Sequence, residues 1–353
     1  MLNKILKILA LLVLAPVTLL AIFLAYMTFT DYKPLVQEEL TIQNNQHTTL
    51  TQGEAFTVTT FNLGYSALDA GQDFFMDGGT NSRGTSKTQV ETNLNGIIHT
   101  LSDLQSDIFL LQEVDVKSSR SYQVNQVEAI INQLPEHSST FAYNYKVSWV
   151  PVPLTHPMGS VQSGLLTLSS FHSSEQTRFD LPGKESWPVQ LFELDRAFIE
   201  NRFPVDNGKE LVLLNLHLSA FDEGGQIRKQ QLDFLSEYIR HEVEKGNYMI
   251  LGGDWNHSLP GTDPSQFPTQ QEWPEWLQEF PETFGPADFQ WAVDPQIPTV
   301  RSMDVAYEVG FNFLAVIDGF FVSPNIQVIE VHTNDLQFEH SDHHPVTAVL
   351  VLE

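Results

Sequence analysis

The sequence predicts an α/β sandwich, two groups of strands with helices between and outside them, behind one N-terminal membrane-spanning helix. Three observations carry this reading. Short apolar or alternating runs recur along residues 54–353, each closed by glycine or a polar residue. Amphipathic helical spacing interrupts them at only a few places, too few for a strictly alternating barrel. Ahead of them stands an uncharged run from Ile8 to Phe29.

That run is long enough to cross a bilayer. Lys4 and Lys7 precede it, so the amino terminus is expected in the cytoplasm and everything after Thr30 outside, as a single-pass membrane protein. Pro16 is tolerable in a membrane helix. A cleaved signal peptide would have a shorter apolar region and a small-x-small site, which the residues near Ala25 do not supply. The expected division is therefore a stub and anchor over 1–29, a tether over 30–53 and one large domain over 54–353. Thr30 to Gly53 is polar, with one short strand expected around Glu39 to Ile42. As a flexible linker it would span roughly 25–30 Å.

Within the domain, Phe56 to Phe61 alternates apolar and polar residues and reads as a half-buried strand ending at Asn62. Ser86 to Leu104 carries Val90, Leu94, Ile97, Ile98 and Leu101 near helical spacing. Asp107 to Glu113 reads as a buried strand ending in a carboxylate, and a helix is expected from Tyr122 to Leu134. Phe141 to Val150, Gly164 to Leu168, Val189 to Phe203 and Glu210 to Leu218 follow as strands. Gly225 to Glu244 is a long amphipathic helix. The last strands are Tyr248 to Leu251, Ala315 to Val322, Ile326 to Val331 and Val346 to Leu352. Leu259 to Pro298, rich in proline and holding Trp273, Trp276 and Trp291, is either a surface loop folded on its own aromatics or a lid.

Composition narrows the partners. The formal charge is -26, from 18 basic and 44 acidic residues. Broad electrostatic binding of nucleic acid needs Lys and Arg, so it is disfavoured. There is no cysteine, which rules out disulfides, thiolate metal sites and cysteine nucleophiles.

Asn62, Glu113, His217, Asp254, Asn256, Asp318, Asp342 and His343 each stand at or just past the end of a predicted strand. Such ends are where open sheets carry ligands. Singly, each has a structural explanation, such as a turn or a hydrogen-bonded core histidine. Repetition at strand after strand argues for one pocket. Asp254 and Asn256, two positions apart after Gly252-Gly253, can serve the same side.

Thr60-Phe-Asn62, Leu111-Gln-Glu113, Asn215-Leu-His217-Leu, Gly253-Asp254-Trp-Asn256, Ile317-Asp318-Gly-Phe-Phe-Val-Ser323 and Ser341-Asp342-His343-His-Pro345-Val occur in that order. This series resembles the endonuclease/exonuclease/phosphatase superfamily, which includes DNase I-like nucleases, neutral sphingomyelinases and inositol-polyphosphate 5-phosphatases. The resemblance runs from about Ala55 to the end. It implies a DNase I-like, four-layered α/β sandwich: two packed mixed sheets flanked by helices. It also implies a Mg²⁺-dependent hydrolase of phosphoesters, with Mn²⁺ able to substitute. Glu113 would be the principal metal ligand, with Asn62 close by and Asp342 beside the ion. His343 would face the phosphate, oriented by Asp318. Asp254 would orient or deprotonate the attacking water, Asn256 would contact a phosphate oxygen, and His217 would donate to the phosphate or leaving group. Sequence does not separate Asp254 from His343 as the base.

Phosphodiester hydrolysis needs an in-line water, charge neutralisation and help for the leaving oxygen, and a metal with two histidines and a carboxylate supplies all three. Lys146 and Arg196 are sparse cations in an acidic chain, as are Arg83, Lys87, Arg120 and Arg301. The last four are the expected substrate contacts. The function expected is a membrane-anchored phosphodiesterase acting outside the cytoplasm on a lipid headgroup or small phosphoester. An extracellular DNase I-like endonuclease and a non-catalytic surface binding module are the alternatives. No protein partner is inferable.

Overall fold

The computed structural model describes residues 2–353. A long helix α1 (Leu2–Thr30) leads into β1 (Gln37–Glu39), β2 (Ile42–Gln43) and β3 (Ala55–Asn62). Helix α2 (Lys87–Leu104), β4 (Ile108–Asp115) and α3 (Gln126–Gln133) follow. Next come β5 (Ser138–Val150), β6 (Gly159–Ser169), β7 (Glu175–Asp180), β8 (Ala197–Pro204) and β9 (Glu210–His217). The chain closes with α4 (Gln226–Val243), β10 (Tyr248–Asp254), β11 (Gln290–Ala292), β12 (Asp318–Val322), β13 (Ile326–Thr333) and β14 (Val346–Leu352).

The strands form two mixed seven-stranded sheets, in the orders β1-β7-β8-β9-β10-β12-β11 and β13-β14-β3-β4-β6-β5-β2. Alternation along the central strands decides the layering. Leu211 and Leu213 of β9 face the second sheet, against Val58, Leu110 and Leu350. Val212 and Leu214 face the other way, onto Leu232, Leu235 and Ile239 of α4. On the far side Phe109 and Leu111 receive Leu94, Ile97 and Leu101 of α2 and Ile130 of α3. The result is the four-layered, DNase I-like sandwich that the resemblance implied. Both faces of each central strand are apolar because both are covered, each buried side chain contributing about 1.5–3 kcal/mol.

Residues 30–53 are not a free tether. Gln37 to Glu39 pair with Phe179 to Thr177 on one sheet edge, and Ile42 pairs with Thr140 on the other. Leu50 is buried between the sheets. The polar composition that reads as a linker belongs instead to edge strands, whose backbone groups find partners while their side chains stay wet. Val189 to Phe203 is likewise not one strand. Val189–Phe192 is a 3₁₀ turn, and its apolar residues Leu191 and Phe192 pack beside Met27 and Tyr145. Strand β7 escapes sequence reading because buried Arg178 breaks its alternation, its guanidinium held by the carbonyls of Tyr143 and Asp195. Helix α3 begins at Gln126, capped by the Asn125 side chain, four residues later than its apolar spacing suggested. The Trp-rich segment folds largely onto the core: Trp291, Phe280 and Phe284 surround fully buried Trp255.

Two buried histidines make the fold sensitive to acid. His344 hydrogen-bonds Pro298 O through Nδ1 and accepts from Phe338 N–H through Nε2, so a second proton would break a bond. Burial pushes both His257 and His344 down to about 4. Unfolded, each would take up a proton near 6.5. Their stabilising effect is therefore complete above pH 6.5 and is lost as pH falls from 6.5 through 4. The loss is up to about 3 kcal/mol each. Urea midpoints should fall between pH 7.5 and pH 5, and less steeply in His344→Gln; equal slopes would refute the assignment.

Candidate active site

Register brings the strand ends together. Asp254 lies opposite His217 across the parallel β9–β10 pair and opposite Asp318 across the antiparallel β10–β12 pair. On the facing sheet Asn62 ends β3 beside Gln112 of β4. Glu113 occupies a bulge in β4 between Leu111 and Val114, with φ 55°. A left-handed glutamate costs on the order of 1 kcal/mol, and the bulge turns its carboxylate into the cavity. Asp342 and His343 come from the turn before β14.

Asn62, Glu113, His217, Asp254, Asp342 and His343 line one cavity of about 430 Å³, with Asp318 just behind His343. His343 Nδ1 lies 2.9 Å from Asp318 Oδ2, and its Nε2 is 3.8 Å from Asp254 Oδ2. Burial alone would lower the His343 pKa, but the Asp318, Asp342 and Asp254 carboxylates outweigh it and raise the value well above the usual range. These carboxylates favour the protonated ring. Asp254 is raised by burial and by the charge of Asp318. Its Oδ2 accepts from Asn62 Nδ2 at 3.0 Å, and its Oδ1 accepts from the Asn256 N–H at 2.9 Å. His217 Nε2 stands 3.4 Å from the same Oδ2, while burial and the nearby Arg196 and His343 charges hold this second ring neutral. Burial raises Glu113, Arg120 opposes this, and Asp342 adds to it.

Ligand atoms of Asp254, Asp318 and His343 all lie within 4.8 Å of one another, close enough to hold one metal ion. Several buried polar atoms around the cavity have no hydrogen-bond partner among the described residues, including Tyr65 Oη, Asn144 Nδ2, His217 Nδ1 and Asp318 Oδ1. Such atoms are rare in folded proteins and suit a ligand, ion or water.

Several expected contacts fall elsewhere. Arg83 binds the Pro157 carbonyl, and exposed Lys87 pairs with Glu91 along α2; neither lines the cavity. Arg301 lines it but spends its guanidinium on the carbonyls of Asp69 and Gln72. Arg120 also lines it, locked onto Asp115 at 3.0 and 3.2 Å and stacked over Tyr65. Asn62 differs in detail from a free metal ligand, since its Oδ1 accepts from Gly64 N–H. Asn256 donates to Leu218 O rather than pointing its amide nitrogen into the cavity. Arg196, not among the expected contacts, is a cavity cation whose recorded hydrogen bond is a long one, 3.5 Å to His217 O. Nothing in its flanking sequence distinguishes it from a surface arginine.

The model of the endonuclease/exonuclease/phosphatase family matches residues 59–343. The chain belongs to this family. It is therefore a hydrolase acting on phosphoester bonds, with a buried Asp/His cluster of metal-binding geometry. No curated protein matches the sequence. Among solved structures, ANGEL2, a 2′,3′-cyclic phosphatase in complex with adenosine-2′,3′-vanadate, is 14% identical with TM-score 0.56, over 90% of this chain and 99% of that one. A family protein from Beutenbergia cavernae is 15% identical with TM-score 0.54, over 84% of this chain and 72% of its own. D. rerio TDP2 complexed with a single-strand DNA product is 14% identical with TM-score 0.54, over 84% and 99%. At these identities the likeness is one of fold.

Family geometry here depends on Gly253. With φ +147°, a Cβ at this position would sit 2.0 Å from Leu216 O. Gly253→Ala should cost more than about 3 kcal/mol and displace Asp254 from His217. Thermal unfolding together with turnover checks this; an unchanged melting temperature would refute it.

Proposed function

We propose that the chain is a membrane-anchored, Mg²⁺-dependent phosphodiesterase acting outside the cytoplasm on a lipid headgroup or another small phosphoester. The supporting observation is the convergence of His343, Asp254, Glu113 and Asp342 on one cavity, with Asp318 holding His343 from behind. Buried Glu113, with Asp342 beside it, suits a hard cation with oxygen ligands. Glu113 and Asp342, with Asn62 beside them, would hold Mg²⁺, which when bound supplies charge neutralisation at the phosphate oxygens. Asp254, oriented by Asn62 and the Asn256 N–H, positions a water and accepts its proton. His343 donates from Nε2 toward a phosphate oxygen, its Nδ1 proton fixed on Asp318. Neutral His217 and the Arg196 guanidinium face the same space and contribute hydrogen bonds to the phosphate or leaving oxygen.

The spacing of Asp254, Asp318 and His343 favours a second placement of the ion, among those three. The 2.9 Å Nδ1–Asp318 bond supports the acid–base role instead, because it gives the imidazole proton a defined partner. The formal charge of -26 opposes a nuclease. Lys4 and Lys7 before the apolar helix support an outward-facing domain.

The test uses the full chain in detergent, with bis-p-nitrophenyl phosphate and plasmid DNA side by side, in Mg²⁺, Mn²⁺ or EDTA. Hydrolysis of the diester that is lost in EDTA and in His343→Ala, with plasmid intact, supports the reading. Plasmid nicking with the same dependences would make it a surface nuclease. No turnover of either would leave the binding-module alternative.

A further inference from the structure

The cavity has two unlike ends. Its floor holds the carboxylates and histidines, whereas one wall is built from Tyr145, Val150, Met158, Phe74, Phe75 and Phe192. That wall is the inner side of an apolar cluster whose outer side receives Phe23, Leu24 and Met27 of α1. Met27 is 1% exposed, the Phe23 and Phe192 rings stack at 5.9 Å, and Trp187 Nε1 donates to Thr28 Oγ1 at 3.2 Å. One cluster thus joins the catalytic cavity to the helix.

These helix residues lie inside the apolar span Asn3–Thr30. The part from Phe23 onward is about 12 Å long at ~1.5 Å per residue. If the helix crosses a bilayer whose apolar core is about 30 Å thick, its outer end carries the cluster down to the headgroup layer. The cavity rim fits that position. Met76, Val152, Val189 and Phe221 line the cavity and are also 41–48% exposed. Trp187, bonded to α1, is 62% exposed, and Leu154, two residues after Val152, is 88% exposed. Tryptophan beside apolar residues is the composition of a membrane interface. Glu185 and Glu193 also line the cavity, but the exposed apolar side chains at its mouth are unsuited to a fully hydrated phosphoester.

We propose that the substrate is a phospholipid of the outer leaflet, whose tail-proximal carbons lie along the Tyr145–Phe192 wall while its phosphate reaches the floor. This rests on the phosphodiesterase reading of the same site. The docking of α1 holds the mouth level with the headgroups, so the lipid enters from the leaflet. The cavity volume is in the usual range for small-molecule sites, roughly 300–1,000 Å³. It therefore encloses the phosphate and the first carbons, leaving the distal tail in lipid.

The test compares p-nitrophenyl methyl phosphate with p-nitrophenyl octyl phosphate below its micelle threshold, using the full chain in dioleoylphosphatidylglycerol nanodiscs. Water adds to phosphorus, the aryl P–O bond breaks, and p-nitrophenolate leaves with the alkyl phosphate as the other product. Each buried methylene is worth roughly a factor of four. With about three to four of the seven added methylenes inside the cavity, the octyl-to-methyl ratio of kcat/KM should be on the order of 10² in the wild type. In Val152→Glu/Val189→Glu, checked for folding by circular dichroism, that ratio should fall at least about tenfold. A wild-type ratio near one, or a ratio unchanged in the double variant, overturns the lipid assignment and leaves the phosphodiesterase standing. Failure to hydrolyse the methyl diester with Mg²⁺ and His343 dependence overturns both.

Discussion

His343→Ala should lower kcat/KM for bis-p-nitrophenyl phosphate by about 10²–10⁴ without unfolding the chain. That is the range for removing a positioned proton-transfer group. The argument is geometric. Nε2 faces the cavity 3.8 Å from Asp254 while Nδ1 is tied to Asp318 at 2.9 Å. Deleting the ring removes the imidazolium donor and leaves two carboxylates without their shared cation. Asp318→Asn keeps the ring but weakens its hold on the proton. Its loss should be smaller, about 10–10²-fold, and should come with an acidward shift of the histidine resonance in NMR titration. The double variant should be no worse than His343→Ala, because one unit has been removed once. Turnover within about tenfold of wild type in His343→Ala would sink the site as drawn.

Glu113→Gln should reduce turnover by about 10²–10³ and raise the Mg²⁺ concentration needed for half-maximal rate at least about tenfold. The same variant offers a readout free of catalysis. A cation that binds the folded chain alone raises its melting temperature in proportion to occupancy. Mg²⁺ should therefore stabilise the wild type. In Glu113→Gln that rise should disappear, while the cation-free variant melts no lower, since the burial penalty on the Glu113 charge and its repulsion of Asp342 outweigh the lost attraction to Arg120. A Mg²⁺ response that survives Glu113→Gln and vanishes in Asp318→Asn would move the ion to the Asp254–Asp318–His343 cluster.

Much of this site was legible because strand-end residues sit beside short, strongly patterned runs. Asp254 follows an apolar strand and two glycines, and Asp342-His343 precedes another strand; both runs fall as the sequence suggested. Residues whose positions depend on pairing across the sheets could not be read the same way. Arg83, Lys87 and Arg301 stand near the motifs in sequence, yet Arg83 turns to Pro157, Lys87 to Glu91 and Arg301 to backbone carbonyls. Arg196 and Tyr65 carry no local signal, and both line the cavity.

The sequence by itself determined the apolar N-terminal helix, the strand-rich domain and the ordered series of Asn62, Glu113, His217, Asp254, Asp318 and His343. Local periodicity and composition are sufficient for such features, because they depend on neighbours within a few residues. Only the tertiary structure decided that residues 30–53 dock on both sheet edges. It likewise decided which cavity arginines keep their guanidinium free of other partners, and that the last turns of α1 share a cluster with the cavity wall. Those outcomes depend on burial against residues far away in the chain, where a polar strand can pair and an apolar turn can serve two faces at once.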